Sequence, residues 1–285
     1  MKLTLGRHFS TAEVCMTTLY ISVFTITDIK RNHRKKMRKF ITNGLIIREQ
    51  NIGEKDKLIT VLTDDHGVVK GFARGAKDIK SSKCASTNLL SYSRLTMYKG
   101  KDSYSIGDAR VIKVFGGLRN SIENMYLSQY FCELALYIAP KEQEAKEYLS
   151  LILNALYLLS ENKRSIFTVK ACVELRLMCL AGYMPDLVMC RECGAYDSEK
   201  MFFLPRTGQL ICSNCIHEDF AEHKIQINIS TTTALRHCCY ADKEKLFSFS
   251  MPDEDLKTLN FCSEEYIKFI LEKDLKTLQF FKSIT

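Results

Sequence analysis

Apolar positions in this chain follow two different periods, and the change between them divides it. From Ile41 to Gly107 they come in short runs: Leu45-Ile46-Ile47, Lys57 to Thr63, Val68 to Ala73, Arg94 to Tyr98 and Tyr104 to Gly107. Brief runs rich in branched and aromatic residues, bounded by Gly and Asp, predict strands. Asp64-Asp65-His66-Gly67 and Lys99-Gly100-Lys101-Asp102 supply turn chemistry between consecutive runs. Five such strands in about eighty residues suit a small closed barrel, the oligonucleotide-binding type among others. After Gly116-Gly117 the period becomes helical, with Ile122, Met125, Tyr126, Gln129, Tyr130, Glu133, Leu134 and Tyr137 at i, i+3, i+4 spacing until Pro140. Tyr148 to Leu159 and Ile166 to Leu180 repeat the pattern, and a helical tail runs from Ser230 through Phe281.

Between the third helix and the tail stand Cys190-Arg191-Glu192-Cys193 and Cys212-Ser213-Asn214-Cys215, with eighteen residues separating the pairs. Two residues between thiolates let both reach one ion, and the separation falls within the range of zinc sites. Tetrahedral Zn²⁺ held by four thiolates has no open position, so such a centre fixes structure and does not catalyse. Met201-Phe202-Phe203-Leu204 and Gln209-Leu210-Ile211 flank the turn Pro205-Arg206-Thr207-Gly208, which predicts a hairpin. The expectation is a zinc-ribbon-like finger with structural Zn²⁺ on Cys190, Cys193, Cys212 and Cys215. Four buried thiols or two disulfides are the alternative, which the doubled spacing disfavours. His217 and His223 follow the last ligand and read as exposed, since four thiolates are already available. Cys15, Cys84, Cys132, Cys172, Cys179, Cys238, Cys239 and Cys262 show no paired spacing and read mostly as small core residues. Many irregularly placed cysteines without a disulfide framework point to a reducing compartment, the cytoplasm.

Charge separates the halves of the chain. The 285 residues, 46% hydrophobic, carry a net charge of +8. Residues 37–118 hold fifteen Lys and Arg against eight acids, whereas residues 119–285 hold nineteen against twenty-three. A polyanion would therefore bind the β-rich half. Arg74, Lys77, Lys80 and Lys83 recur at three-residue steps on one polar segment, and Lys99 and Lys101 add to them from the next turn. These six are the expected DNA-binding residues, with Phe72, Tyr92 and Tyr98 offering ring faces to unstacked bases. A solvated loop beside core aromatics explains any single residue equally well; the clustering on one element carries the functional reading. No G-x-x-x-x-G-K-[ST] loop is present, and no H-x-E precedes a P-C-x-x-C pair as a zinc deaminase needs. No catalytic constellation is visible, so an enzyme is not expected.

Residues 1–36 differ from the rest. The apolar run Met16 to Ile26 is too short to span a bilayer and is followed by a basic run from Lys30 to Lys39. A targeting segment or a nucleic-acid-binding arm is one reading. The preferred one is an extension, disordered or produced by an upstream start, before a protein that begins at Met37.

Asn43-Gly44-Leu45-Ile46-Ile47-Arg48, Gly53-Glu54-Lys55-Asp56-Lys57-Leu58, Leu62-Thr63-Asp64-Asp65-His66-Gly67 and Ala73-Arg74-Gly75-Ala76-Lys77 together resemble the opening of the bacterial RecO family. Glu174-Leu175-Arg176-Leu177, Ala181-Gly182-Tyr183-Met184-Pro185 and Cys190 through Gly194 are similar to that family's approach to its zinc finger. The similarity runs from Met37 almost to the C-terminus, and the extension has no counterpart in it. The resemblance implies an α+β multidomain protein: a five-stranded OB-fold barrel over 37–118 and an all-helical domain over 119–285 with a four-cysteine zinc finger inserted at about 188–217. It also implies a non-enzymatic recombination mediator in the cytoplasm, associated with the nucleoid and not with a membrane. Such a mediator binds single-stranded and double-stranded DNA and anneals complementary strands. With RecR it helps load RecA onto strands coated by single-stranded DNA-binding protein, whose acidic C-terminal tail docks on the helical domain. Because that domain is net negative here, the tail's pocket must be local; Arg176 is a candidate, its other role being a cap. The competing class is a zinc-ribbon DNA-binding transcription factor, against which the separation of finger and basic half counts.

Overall fold

The computed structural model describes residues 38–100, 104–217 and 220–285. The expectations for residues 1–36 and for Lys101 lie outside these residues. Five strands, β1 (Arg38–Ile52), β2 (Asp56–Thr63), β3 (Gly67–Ala73), β4 (Tyr92–Lys99) and β5 (Tyr104–Lys113), close a barrel in the order β1-β2-β3-β5-β4. The pairs β1–β2, β2–β3 and β4–β5 are antiparallel, whereas β3 and β5 run parallel where Gly71 meets Tyr104 and Phe72 meets Ser105. This closed five-stranded sheet fits the oligonucleotide-binding fold. Strand alternation sends Ile46, Ile59, Val61, Val69, Leu95, Met97, Ile106 and Ala109 into the barrel. The opposite faces of β1 and β2 carry Leu45, Ile47 and Leu62, which join the larger core of the helical half. Val68 of β3 and Tyr92 of β4 pack against the same core.

A 3₁₀ turn (Gly116–Asn120) leads into α2 (Ile122–Ile138), α3 (Lys146–Ser160) and α4 (Ile166–Leu180); α1 (Lys83–Ser86) is a single turn between β3 and β4. Ser121 caps α2, its Oγ accepting from Asn124 N at 3.1 Å. The tail divides into α5 (Ile229–Tyr240), α6 (Asp253–Leu271) and α7 (Lys276–Ile284). Asn228 caps α5 in the same way as Ser121 caps α2. Pro252 precedes α6, whose first turn holds Asp253, Glu254 and Asp255, where the helix dipole favours negative charge.

Barrel and helices also meet through backbone. Val68 N donates to Pro140 O at 2.8 Å, and Ala145 N donates to Asp64 O at 2.9 Å. Gly67 between them has φ +62°, and a Cβ there would come within 2.2 Å of Pro140 O. Only glycine satisfies both the left-handed turn and the close approach.

Inside the helical half, Lys170 and Glu174 on α4 are almost wholly buried and paired at 2.8 Å. Tyr130 of α2 donates to Glu174 at 2.7 Å, and Ser263 of α6 donates to its other oxygen. Lys170 also reaches Glu264 of α6 at 2.8 Å, and Glu264 is bridged to Lys282 of α7. One polar network therefore ties four helices together. Burial pushes the Glu174 carboxyl up despite the Lys170 charge.

Candidate metal centre and nucleic-acid surface

Between α4 and α5 the chain forms β6 (Asp186–Cys190), β7 (Met201–Leu204), β8 (Gln209–Cys212) and β9 (Ile225–Ile227), in the sheet order β6-β8-β7-β9. The hairpin is in place: Leu204 faces Gln209 across Pro205–Gly208, and Met201 faces Cys212. Its apolar side chains Phe203, Leu204, Leu210 and Ile211, with Leu187, belong to the same core as the helices. The small sheet is therefore fused to the helical half instead of standing free.

The sheet brings the four cysteines together. Their sulfurs all lie within 4.8 Å of one another, with Cys193 Sγ 3.6 Å from Cys212 Sγ. Tetrahedral Zn–S bonds of about 2.3 Å require sulfurs about 3.8 Å apart, so the cluster has the size for one such ion. Cys190 and Cys212 are buried at the end of β6 and β8, while Cys193 is exposed and Cys215 half-buried. Burial resists ionisation of Cys190, but the backbone N–H groups of Cys193, Cys212 and Glu192 hold it down at about 6. Cys215, hydrogen-bonded to the sulfurs of Cys193 and Cys212, is pushed up to about 12. One thiolate is thus easy to form and the last is hard, the behaviour of a donor set that a divalent cation completes by displacing protons. His217 and His223 are exposed and outside the cluster.

A residue that sequence patterning missed holds this sheet in place. Arg236 of α5 donates to Leu187 O at 2.7 Å, to Val188 O at 3.1 Å and to Tyr196 O at 2.6 Å, and pairs with Asp197 at 3.1 Å. It is 9% exposed. An arginine on a polar stretch of helix gives no spacing signal; its partners are carbonyls some forty residues upstream.

The predicted DNA contacts fall into different environments. Arg74 and Lys80 are exposed, and no carboxylate among the described residues pairs with either. Lys77 is half-buried, with Nζ donating to Gly53 O at 3.2 Å and its backbone N to Lys55 O. Lys83 begins α1, half-buried. Lys99 pairs with Glu142 at 3.3 Å and lies over the Tyr104 ring, so it bridges barrel and helical half. Tyr92 packs against the shared core, where burial and the charge of Asp64 push its phenol up. Phe72 and Tyr98 instead stay half-exposed on the outer barrel surface. Arg176 donates from Nε to Cys238 O at 3.0 Å and from Nη2 to Ala241 O at 2.6 Å, capping the end of α5. Among the described residues no helix is long and apolar enough to cross a membrane.

The fold and site define an α+β protein in which a closed five-stranded barrel is joined to a helical domain carrying a four-cysteine cluster. Comparison with known families agrees: residues 37–115 match the family described as Recombination protein O N terminal, and residues 119–279 match Recombination protein O C terminal. The DNA repair protein RecO of Acetivibrio thermocellus is 32% identical over 243 residues, covering 85% of this chain and 96% of the relative. Those of Caldicellulosiruptor bescii and Dehalococcoides mccartyi strain CBDB1 are 29% and 28% identical, covering 87% of this chain and 100% and 97% of the relatives. The chain belongs to the RecO family of DNA repair proteins.

Proposed function

We propose that the protein is a non-enzymatic recombination mediator that binds single-stranded DNA through the barrel and anneals complementary strands. With RecR it helps load RecA onto strands coated by single-stranded DNA-binding protein, in the cytoplasm at the nucleoid. The observation that carries this reading is the exposed, unneutralised pair Arg74 and Lys80 on a closed barrel of a RecO-family chain. Phosphates fit such cations without demanding a base sequence. Double-stranded DNA is the product of annealing and binds by the same phosphate contacts. The four cysteines hold structural Zn²⁺, which makes a zinc finger of the small sheet; its role is folding and not chemistry. A transcription factor that reads bases with its finger is disfavoured, because the finger's strands are buried against the helices.

The test is annealing of complementary strands that have first been coated with single-stranded DNA-binding protein. Acceleration by this protein without nucleotide triphosphate supports a mediator. Absence of annealing together with tight binding to one duplex sequence contradicts it.

A further inference from the structure

Arg94 on β4 and Arg110 on β5 are direct cross-strand partners. Both are exposed while Leu95 and Ala109 beside them are buried, so both guanidinium groups stand on the outside of the barrel. Opposed side chains start about 5 Å apart at Cβ, and like charges placed so destabilise a sheet. Compensation is slight: Asp108 lies 3.5 Å from Arg110 Nε and also accepts from Ser82 Oγ at 3.4 Å, while no carboxylate among the described residues pairs with Arg94. Two adjacent cations, only one of them with a carboxylate partner, favour the arrival of an anion.

An aromatic ring stands beside them. The β4–β5 register slips where Thr96 faces Asp108 but Met97 faces Ile106, leaving Gly107 as the extra residue of a bulge. Tyr98 covers it: a Cβ on Gly107 would lie 2.4 Å from Tyr98 Cε2. The missing side chain is therefore the seat of the ring, which remains half-exposed. Ser105 pairs with Tyr98 on one side and Phe72 on the other, so both aromatics lie in one row on the outer surface. Phe72 and Tyr98 of this row are not part of the core shared with the helices, which the barrel joins through Leu45, Ile47 and Leu62 together with Val68 and Tyr92. The bond from Ser82 to Asp108 brings the cationic loop to the same face.

We propose that this face is a nucleotide-unit site: a base of single-stranded DNA stacks on Tyr98 while Arg94 and Arg110 hold an adjacent phosphate. Bases in a duplex are stacked on each other and offer no free face, so the site selects single strands without selecting sequence. The proposal rests on the DNA-binding reading above and specifies where bases, as distinct from phosphates, are recognised.

The experiment compares an oligothymidine with an abasic oligonucleotide of equal length, by fluorescence anisotropy, on the full chain. Tyr98→Ala should weaken oligothymidine binding about 5- to 150-fold, the range for one stacked base, and leave abasic binding unchanged. Tyr98→Phe should bind both as the parent does. Gly107→Val, which denies the ring its seat, should reproduce the Tyr98→Ala defect with Tyr98 still present. Arg94→Ala with Arg110→Ala should weaken both probes and, for the one phosphate the pair holds, flatten the slope of log affinity against log salt by about 0.7. Circular dichroism of each variant guards against misfolding, and a variant that fails it is replaced by crosslinking of 5-iodouracil oligonucleotide to the parent, expected at Tyr98. Equal affinity of Tyr98→Ala and parent for oligothymidine, equal loss on both probes, or crosslinks only elsewhere would overturn the site while leaving DNA binding intact. A parent protein that binds neither probe would overturn the DNA-binding reading itself.

Discussion

The guanidinium of Arg236 stacks on the ring of Tyr196, its central carbon 3.9 Å from the ring centre, while its nitrogens bind two carbonyls of β6 and the carbonyl of Tyr196. One side chain thereby fastens the first cysteine pair to α5. Arg236→Met keeps the aliphatic stem but orphans those carbonyls, and hydrogen bonds to charged donors are worth about 1.5–3 kcal/mol each before relaxation. The expected loss is on the order of 3 kcal/mol in chemical denaturation, with the metal retained. Loss of the metal with unchanged stability would contradict this role.

The cysteine cluster makes a separate prediction. Because Cys212 closes β8 and the sheet shares its core with the helices, Cys212→Ser or prolonged chelation should release one Zn²⁺ per chain. Melting of the helical half should move down with it, and hydrogen exchange should rise first in β6 and β8. Elemental analysis finding no zinc in the parent protein, or a Cys212→Ser protein with unchanged melting, would contradict a structural metal.

The buried network predicts a pH dependence. Burial raises the Glu264 carboxyl, but Lys170 and Lys282 outweigh it and hold the group below its ordinary value of 4.5. A carboxyl depressed in the folded state adds stability that is full above 4.5 and lost as pH falls through the folded value. Lys282 is half-exposed, so its share is about 0.2–1 kcal/mol. Lys282→Ala should therefore lower stability at pH 7 by that amount, with the gap closing in acid; a gap that widens in acid would reverse the assignment. Lys170→Met should cost more, about 3–5 kcal/mol, because it leaves the Glu174 carboxyl in the core without a cation.

Much of this architecture is legible in the residues because periodicity and thiol spacing are local signals. The barrel's central strands, α2 to α4, the hairpin from Met201 to Cys212 and the convergence of the four cysteines follow from them. What stays hidden depends on pairing. Only Leu45-Ile46-Ile47 of the fifteen-residue β1 forms an apolar run, so its polar ends are silent. The tail reads as one helical stretch, but Pro252 and the left-handed Glu272 divide it. Lys99 counts as a DNA cation in the sequence, whereas Glu142, forty-three residues on, engages it. Arg94 and Arg110 look unrelated sixteen residues apart, and only the β4–β5 register makes them neighbours.

The claim that DNA is held by the barrel and not by the acidic helical half is tested most directly by salt dependence of single-strand affinity. Arg74 and Lys80 are exposed on the barrel loop, and Lys268 and Lys276 are exposed on α6 and α7. Each phosphate contact on a single strand contributes about −0.7 to the slope of log affinity against log salt. Arg74→Ala with Lys80→Ala should weaken binding to all sequences alike and flatten the slope by about 1.4, while Lys268→Ala with Lys276→Ala leaves it nearly unchanged. An equal loss of slope from the helical pair, or none from the barrel pair, would contradict the account.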